Sequence, residues 1–378
     1  MDFTRVIDRR PTAATKWQKY AGTEILPFWV ADMEFETAEP ILDALQRRVA
    51  HGILGYTDVP ASLTEATLAF LQNRYQWTVD PSWIVWLPGV VPGFNLACRC
   101  AGVPGDSVLL TTPVYYPFFA APENGGRSRI EVPLVKDGQR WVMDFDALEQ
   151  AVRPDTRLFM LCNPQNPTGR VYDQDELLAL GAFAERHDLL ICSDEIHAEL
   201  VLDPNTVHRP IASLGEALAL RTITLMAPTK TFNIPGLPCA FAIIADPTLR
   251  RRFRQAQAGL VPSVGPLAYA AAEAAYRHGE PWRQAMLAQL RANHARLAEV
   301  MAALPGVSTT PVEATCLAWL DIRELGLEDP PAHFEAQGLG LSPGAPFGDA
   351  NFLRFNFGCS PSLLESGLAR FRNGVAAA

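Results

Sequence analysis

One lysine in a nearly uncharged turn is the first group in this 378-residue chain that invites a chemical reading. The run from Arg221 to Ala227 alternates and branches as a strand does and stops at Pro228, so Lys230 falls in irregular backbone at a strand end. An amine shielded from water and from other charges gives up its proton easily, and the neutral amine attacks carbonyl carbons. Taken alone, such a lysine is far more often an ordinary solvated loop charge. Its chemistry depends on what other strand ends bring beside it.

Open α/β sheets hold their ligands beyond the carboxyl ends of the strands, and three other strand ends carry suitable groups. The strand Ile84 to Leu87 runs into Pro88-Gly89-Val90-Val91-Pro92-Gly93 and then a helix, where backbone N–H groups and the helix N-terminus suit an anion such as phosphate. Leu158 to Cys162 is followed by Asn163-Pro164-Gln165-Asn166-Pro167-Thr168-Gly169, whose prolines and glycine fix a turning backbone able to present Asn166 to a ligand oxygen. Leu189 to Ser193 ends in Asp194-Glu195-Ile196-His197, a carboxylate at the mouth of the sheet that is costly to bury without a cation. Each has a plain alternative: a strand–helix turn, an Asn-Pro turn, and a helix cap at Asp194 with Glu195 on the surface. Together they describe one ligand. Pyridoxal phosphate needs a lysine for its aldehyde, an anion site for its phosphate, an acidic partner for its ring nitrogen and donors for its ring oxygen.

The elements that position these groups read as a large α/β protein. Seven candidate strands (Ile84 to Leu87, Ser107 to Leu110, Arg129 to Leu134, Leu158 to Cys162, Leu189 to Ser193, Ile223 to Ala227 and Ala240 to Ile244) alternate with helices, the pattern of a mostly parallel sheet covered on both faces. Before them come an irregular polar arm to about Tyr20, a short apolar stretch at Ile25 to Asp32, a helix from Glu39 to Val49 capped by Thr37, and a second helix from Ser62 to Tyr75. After residue 275 or so the alternation ends. Helices at Trp282 to Leu304, Pro331 to Gln337 and Ser360 to Phe371, with strands at Cys316 to Leu320 and Phe352 to Phe357, make a smaller α+β unit. The expected division is a large cofactor-binding domain over 47–275 and a small domain of 1–46 with 276–378.

Composition excludes several function classes. A formal charge of -9 disfavours nucleic acid and anionic membrane. No apolar run reaches the length needed to span a bilayer, and the charged N-terminus does not resemble a secretory signal. Seven cysteines, an odd number in mostly apolar surroundings, read as buried thiols of a cytoplasmic protein, and no metal site is expected.

The chain also resembles the fold type I pyridoxal-phosphate enzymes of aminotransferase class I/II, and within them the MalY/PatB group of cystathionine β-lyases. The resemblance is carried by Ile7-Asp8-Arg9-Arg10, Trp29 to Phe35, Gly55-Tyr56-Thr57, Pro88 to Pro92, Thr112-Pro113-Val114-Tyr115, Asn163 to Gly169, Ser193 to His197, Thr229 to Gly236 and Arg354 to Gly358. It implies Lys230 as the cofactor-bonding lysine, Asp194 as partner of the ring nitrogen, and Asn166 with His197 near the ring oxygen. It further implies Tyr115 stacked on the ring, Val90, Val91 and Thr229 at the phosphate, and Tyr56 reaching the phosphate from a second subunit of a homodimer. Arg354 would grip the substrate carboxylate, with Val30, Ala31 and Asn166 lining the substrate site. Ala227 stands where many relatives carry a phosphate-binding serine, and Pro238 lies where many aminotransferases place an arginine, so weaker phosphate affinity is expected. The implied reaction is loss of a thiol from the β-carbon of an L-amino acid, giving pyruvate and ammonia. Amino-group transfer is the alternative, and a cofactor-dependent regulatory protein a more distant third.

Overall fold

Seven strands build the central sheet of the computed structural model, which describes residues 1–378. They are β1 (Ile84–Leu87), β2 (Ser107–Thr112), β3 (Ser128–Pro133), β4 (Thr156–Cys162), β5 (Leu190–Asp194), β6 (Thr222–Met226) and β7 (Ala240–Ile243), in the spatial order β1-β7-β6-β5-β4-β2-β3. Neighbours pair in parallel except at β7, which runs antiparallel to both β1 and β6. That reversal matters for the lysine. A parallel return from β6 would need a crossover helix, whereas an antiparallel one needs only a turn, and the turn is the segment that carries Lys230.

Alternation along the strands sends side chains to two separate cores. Val108, Leu110, Leu158, Met160, Ile223 and Leu225 pack on one face with the helices Val90–Cys100 and Pro247–Gln257. Leu109, Phe159, Leu161 and Ile191 pack on the other with the helix Gln174–Arg186.

A second, antiparallel sheet has the order β8 (Ser308–Thr309), β9 (Leu317–Asp321), β11 (Phe352–Asn356), β10 (Ser342–Pro343). The helices Glu280–Ala302 and Pro361–Ala376 share its core with Phe28, Met33, Phe35 and Ile41 from the start of the chain and Phe232 from the lysine turn. Leu26–Pro27 adds a short parallel pair to Leu339–Gly340. The segment after Pro27 is thereby held between the two sheets' ends. No helix is long and apolar enough to cross a membrane.

Two expectations for the N-terminal part fail, both because tertiary bonds override local signals. Thr37 does not cap the helix Glu39–Ala50, whose N-cap is Ala38; its hydroxyl donates instead to the Phe232 carbonyl at 2.8 Å. The first twenty residues are not simply a polar arm. They include a helical turn, Thr15–Gln18, and Lys16 within it is only 2% exposed.

Candidate active site

The carboxyl ends of the parallel strands open on a cavity of about 830 Å³, faced on its other side by Trp29 to Ala31 and by Ser342, Pro343, Pro346 and Phe347. Lys230, Asp194, Tyr115, Val90, Val91, Asn166, His197, Thr229, Arg354, Val30 and Ala31 all line it. Tyr56 does not. It sits in a loop without regular structure, and its side chain is fully exposed away from its own chain's cavity.

Asp194 is the last residue of β5, opposite Cys162 of β4 and Leu225 of β6. It is buried, accepts the Ile196 N–H at 3.1 Å, and has no cation bonded to it, so burial pushes its carboxyl up to about 7. Glu195 next to it is not a surface residue: it is 1% exposed and turns the other way, accepting from Ser193 at 2.9 Å and lying 2.8 Å from His208 Nε2. His197 faces the cavity. Burial, reinforced by the charges of Lys230 and Arg354, pushes it down to about 3, so the imidazole is neutral, and its Nδ1 has no partner.

The turn before Asn166 is fixed by Gln165, whose Nε2 donates to the Pro113 carbonyl at 2.5 Å while its Oε1 accepts from the Thr168 N–H and hydroxyl at 3.0 and 2.7 Å. Gly169 closes it at φ +75°, where a Cβ would also come within 2.8 Å of Val312. Asn166 is thus held with its Oδ1 2.9 Å from Arg354 Nη1. At the helix Val90–Cys100 no side chain caps the N-terminus, which leaves the Val90 and Val91 N–H groups at the cavity wall. Gly93 lets this helix lie against β6, because a Cβ there would meet Leu225 at 2.8 Å. Pro238 lines the cavity, whereas Ala227 is buried behind it.

Arg354 lies mid-strand in β11 with its guanidinium 4.6 Å from the centre of the Phe347 ring. It also donates to the Trp29 carbonyl at 2.8 Å and the Ser342 hydroxyl at 3.2 Å, while Nε has no partner. Of its five N–H donors three are engaged, which leaves one Nη1 hydrogen and the buried Nε unbonded. Burial pulls its pKa down to about 10, still fully charged at neutral pH. Tyr115, half-buried, lies 4.9 Å from Tyr116 ring to ring, and burial raises its hydroxyl so that it stays protonated.

Lys230 is oriented by backbone. Its Nζ donates to the Ala31 carbonyl at 3.1 Å, and burial lowers its pKa below the ordinary lysine value. Ala31 belongs to a strip of carbonyls bonded by side chains from β11, the lysine turn and the N-terminal helical turn. Trp29 receives Arg354; Val30 receives Asn356 Nδ2 at 2.6 Å; Asp32 receives Asn356 and Lys16 Nζ at 2.8 and 2.9 Å; Met33 receives Asn233 Nδ2 at 3.0 Å. Lys16 is compensated by Glu34 at 3.0 Å, and Arg9 bridges Asp32 and Glu34 at 2.6 and 2.8 Å. One loop therefore sets both the lysine and the arginine.

The sequence reading missed Lys16, whose polar surroundings gave no sign of burial, and the aromatic walls Trp29, Tyr116 and Phe347. The last three stand within one to seven residues of groups already singled out or of β11, so adjacency was their only signal.

The residues present fit pyridoxal phosphate. An uncompensated buried carboxylate, two free helix N-terminal N–H groups, a neutral imidazole and a lysine with a lowered pKa share one cavity.

The sequence model of the aminotransferase class I and II family matches residues 23–371. Over 98% of this chain and 99% of its own length, the cystathionine β-lyase PatB of Bacillus subtilis (strain 168) is 36% identical. The crystal structure of OvoB superposes with a TM-score of 0.98 at 46% identity, covering 100% of both chains. That of cystalysin from Treponema denticola, which contains pyridoxal 5'-phosphate, gives a TM-score of 0.95 at 31% identity over 100% of this chain and 99% of the other.

Proposed function

The chain belongs to the aminotransferase class I and II family, and we propose that it is a pyridoxal-phosphate-dependent carbon–sulfur β-lyase of the cystathionine β-lyase type. The observation that carries the reading is the convergence of Lys230, Asp194 and Arg354 on one cavity, in a chain 36% identical along its length to a cystathionine β-lyase.

When bound, the cofactor supplies an aldehyde and an electron-withdrawing ring that acidify the α-carbon of an attached amino acid. The chain's residues do the rest. Asp194 carries the negative charge that keeps a ring nitrogen protonated, and its burial makes that cation the favoured partner. The Val90 and Val91 N–H groups with the Thr229 hydroxyl would hold the phosphate, Tyr115 would cover the ring, and Asn166 with neutral His197 would face its oxygen, all of them lining the cavity. The buried Arg354 guanidinium would pair with the α-carboxylate, beside Val30, Ala31 and Asn166. As a free amine, Lys230 Nζ would be the base that takes the proton from the α-carbon and the acid that returns one to the sulfur leaving the β-carbon.

The working unit in this reading is a homodimer in the cytoplasm. Tyr56 is fully exposed and remote from its own cavity, as a residue serving the other subunit must be. Seven free, buried thiols suit a reducing compartment. Residues 47–275 are taken as the cofactor-binding domain, and 1–46 with 276–378 as the smaller domain.

Incubating the cofactor-loaded protein with cystathionine tests the reaction. Pyruvate, ammonia and homocysteine should appear without any added keto acid. A strict need for a keto-acid acceptor, with a new amino acid formed in equal amount, would replace elimination by amino-group transfer.

A further inference from the structure

Glu195 follows Asp194 directly, is buried, and has no task in the reaction proposed above. Asp194, Ile196 and His197 line the cavity, whereas Glu195 lies on the other side of the backbone. There its carboxylate gathers three segments. One oxygen accepts the Ser193 hydroxyl of β5 at 2.9 Å and, at 3.3 Å, the N–H of Ile211, which opens the 3-10 helix Ile211–Leu214. The other accepts His208 Nε2 at 2.8 Å. No arginine or lysine pairs with Glu195, so His208 is its one cation-capable partner. His208 is buried as well, its Nδ1 is unpartnered, and its ring packs edge-on against Tyr75 at 5.8 Å.

Asp194 and His197 have little of their own to hold them. The Asp194 carboxylate accepts one bond, from the Ile196 N–H, and His197 leaves its Nδ1 unpartnered. Both directions are therefore set by the backbone that runs from Asp194 to Leu200. It is closed by the Ala198 N–H on the Glu195 carbonyl at 3.0 Å and the Leu200 N–H on the His197 carbonyl at 2.9 Å. The Glu195 N–H joins it to β6 through the Leu225 carbonyl at 2.9 Å. What remains is the side chain. A buried carboxylate does not give up a donor cheaply, because the unmet charge costs more than the bond was worth. Glu195 thus resists rotation of the turn about the end of β5, a motion that would carry Asp194 and His197 with it.

Resting on the reading of the cavity as a pyridoxal-phosphate site, we infer that Glu195 and His208 are positioning residues: their bond fixes the turn that aims Asp194 at the ring nitrogen and His197 at the ring oxygen.

Two amide replacements of His208 separate that bond from the bulk around it. Glutamine sets its amide nitrogen as many bonds from Cα as Nε2 and can donate to Glu195, whereas asparagine ends one bond short. In the cofactor-free proteins, hydrogen exchange read by mass spectrometry should find the Ile196, Ala198 and Leu200 amides exchanging about tenfold faster in His208→Asn, and within about twofold of wild type in His208→Gln. Faster exchange confined to residues 201–211 would make the pair an anchor for that stretch alone and overturn the assignment. In the loaded proteins, the dissociation constant for pyridoxal phosphate should rise about tenfold in His208→Asn, with weaker circular dichroism of the bound cofactor, and stay within about twofold in His208→Gln. Unchanged affinity in His208→Asn, or an equal loss in both variants, would also overturn it. Should His208→Asn not fold, Ser193→Ala, which removes another of the Glu195 bonds, takes its place under the same two measurements, and a wild-type result in either would count against the assignment. Wild type that binds the cofactor but releases no pyruvate from cystathionine would remove the lyase reading alone; wild type that binds no pyridoxal phosphate would remove both.

Discussion

Replacing Asp194 by Asn should make the cofactor-free protein more stable and the loaded enzyme nearly inactive. The first effect follows from burial. Raising a carboxyl from its ordinary value near 3.8 to about 7 means that the charged form costs roughly 4 kcal/mol in the folded chain, at about 1.4 kcal/mol per tenfold change. The sign is the reverse of the usual salt-bridged aspartate. The penalty is absent below the unfolded value near 3.8, grows as pH rises through the interval and is complete above about 7. Linkage over that interval gives roughly 1 to 2 kcal/mol at pH 5 and about 4 kcal/mol at pH 8. Asn keeps the bond to the Ile196 N–H, presently 3.1 Å long, and carries no charge. With an unfolding entropy of roughly 2.1 cal/mol/K per residue over 378 residues, the variant's Tm should exceed wild type by about 2 °C at pH 5 and about 5 °C at pH 8. Thermal unfolding of the stripped proteins by circular dichroism measures this. A Tm gap that does not grow with pH would refute the claim that Asp194 is buried without a cation of its own. In the loaded enzyme the same variant should turn over several orders of magnitude more slowly, and near-normal turnover would remove Asp194 from the ring nitrogen.

Lys230→Ala should abolish both activity and the borohydride-reducible cofactor bond, and peptide mapping after reduction of wild type should return the Thr229 to Gly236 segment and no other lysine. Arg354→Lys should raise KM by about ten- to a hundredfold, since a single ammonium replaces charge-assisted bonds worth roughly 1.5 to 3 kcal/mol; lost stability with unchanged kinetics would make the arginine a structural group. Mixing inactive Tyr56 and Lys230 variants should restore part of the activity through hybrid dimers, and an active monomer in sedimentation experiments would end that proposal.

The sequence disclosed those parts of the cavity that sit where a strand stops. Asp194, Asn166, Lys230 and the Val90–Val91 turn each follow an apolar run that ends abruptly, and the parallel sheet brings such ends to one edge, so period and punctuation were enough. Residues whose position depends on distant partners gave no such mark. Lys16 looks like any arm lysine until Glu34 and the Asp32 carbonyl surround it. Thr37 has a capping residue's type and place, yet Phe232, 195 positions away, takes its hydroxyl. Ser342–Pro343 is a strand of two residues, too short for any periodicity, and still supplies the Ser342 hydroxyl beside Arg354.

The carbonyl strip from Trp29 to Met33 makes the site indifferent to one kind of evolutionary change and intolerant of another. Because Lys230, Arg354, Asn356 and Lys16 are read by backbone oxygens, the side chains of Val30 and Ala31 are free to drift with the ligand they line without moving the groups that do chemistry. Chain length has no such freedom. An insertion or deletion of one residue displaces every later carbonyl by about 3.5 Å and reverses the side to which it points, so the lysine and the arginine would lose their bearings in a single event. Val30 and Ala31 should therefore diverge by substitution while their spacing to Asn233 and Asn356 stays constant.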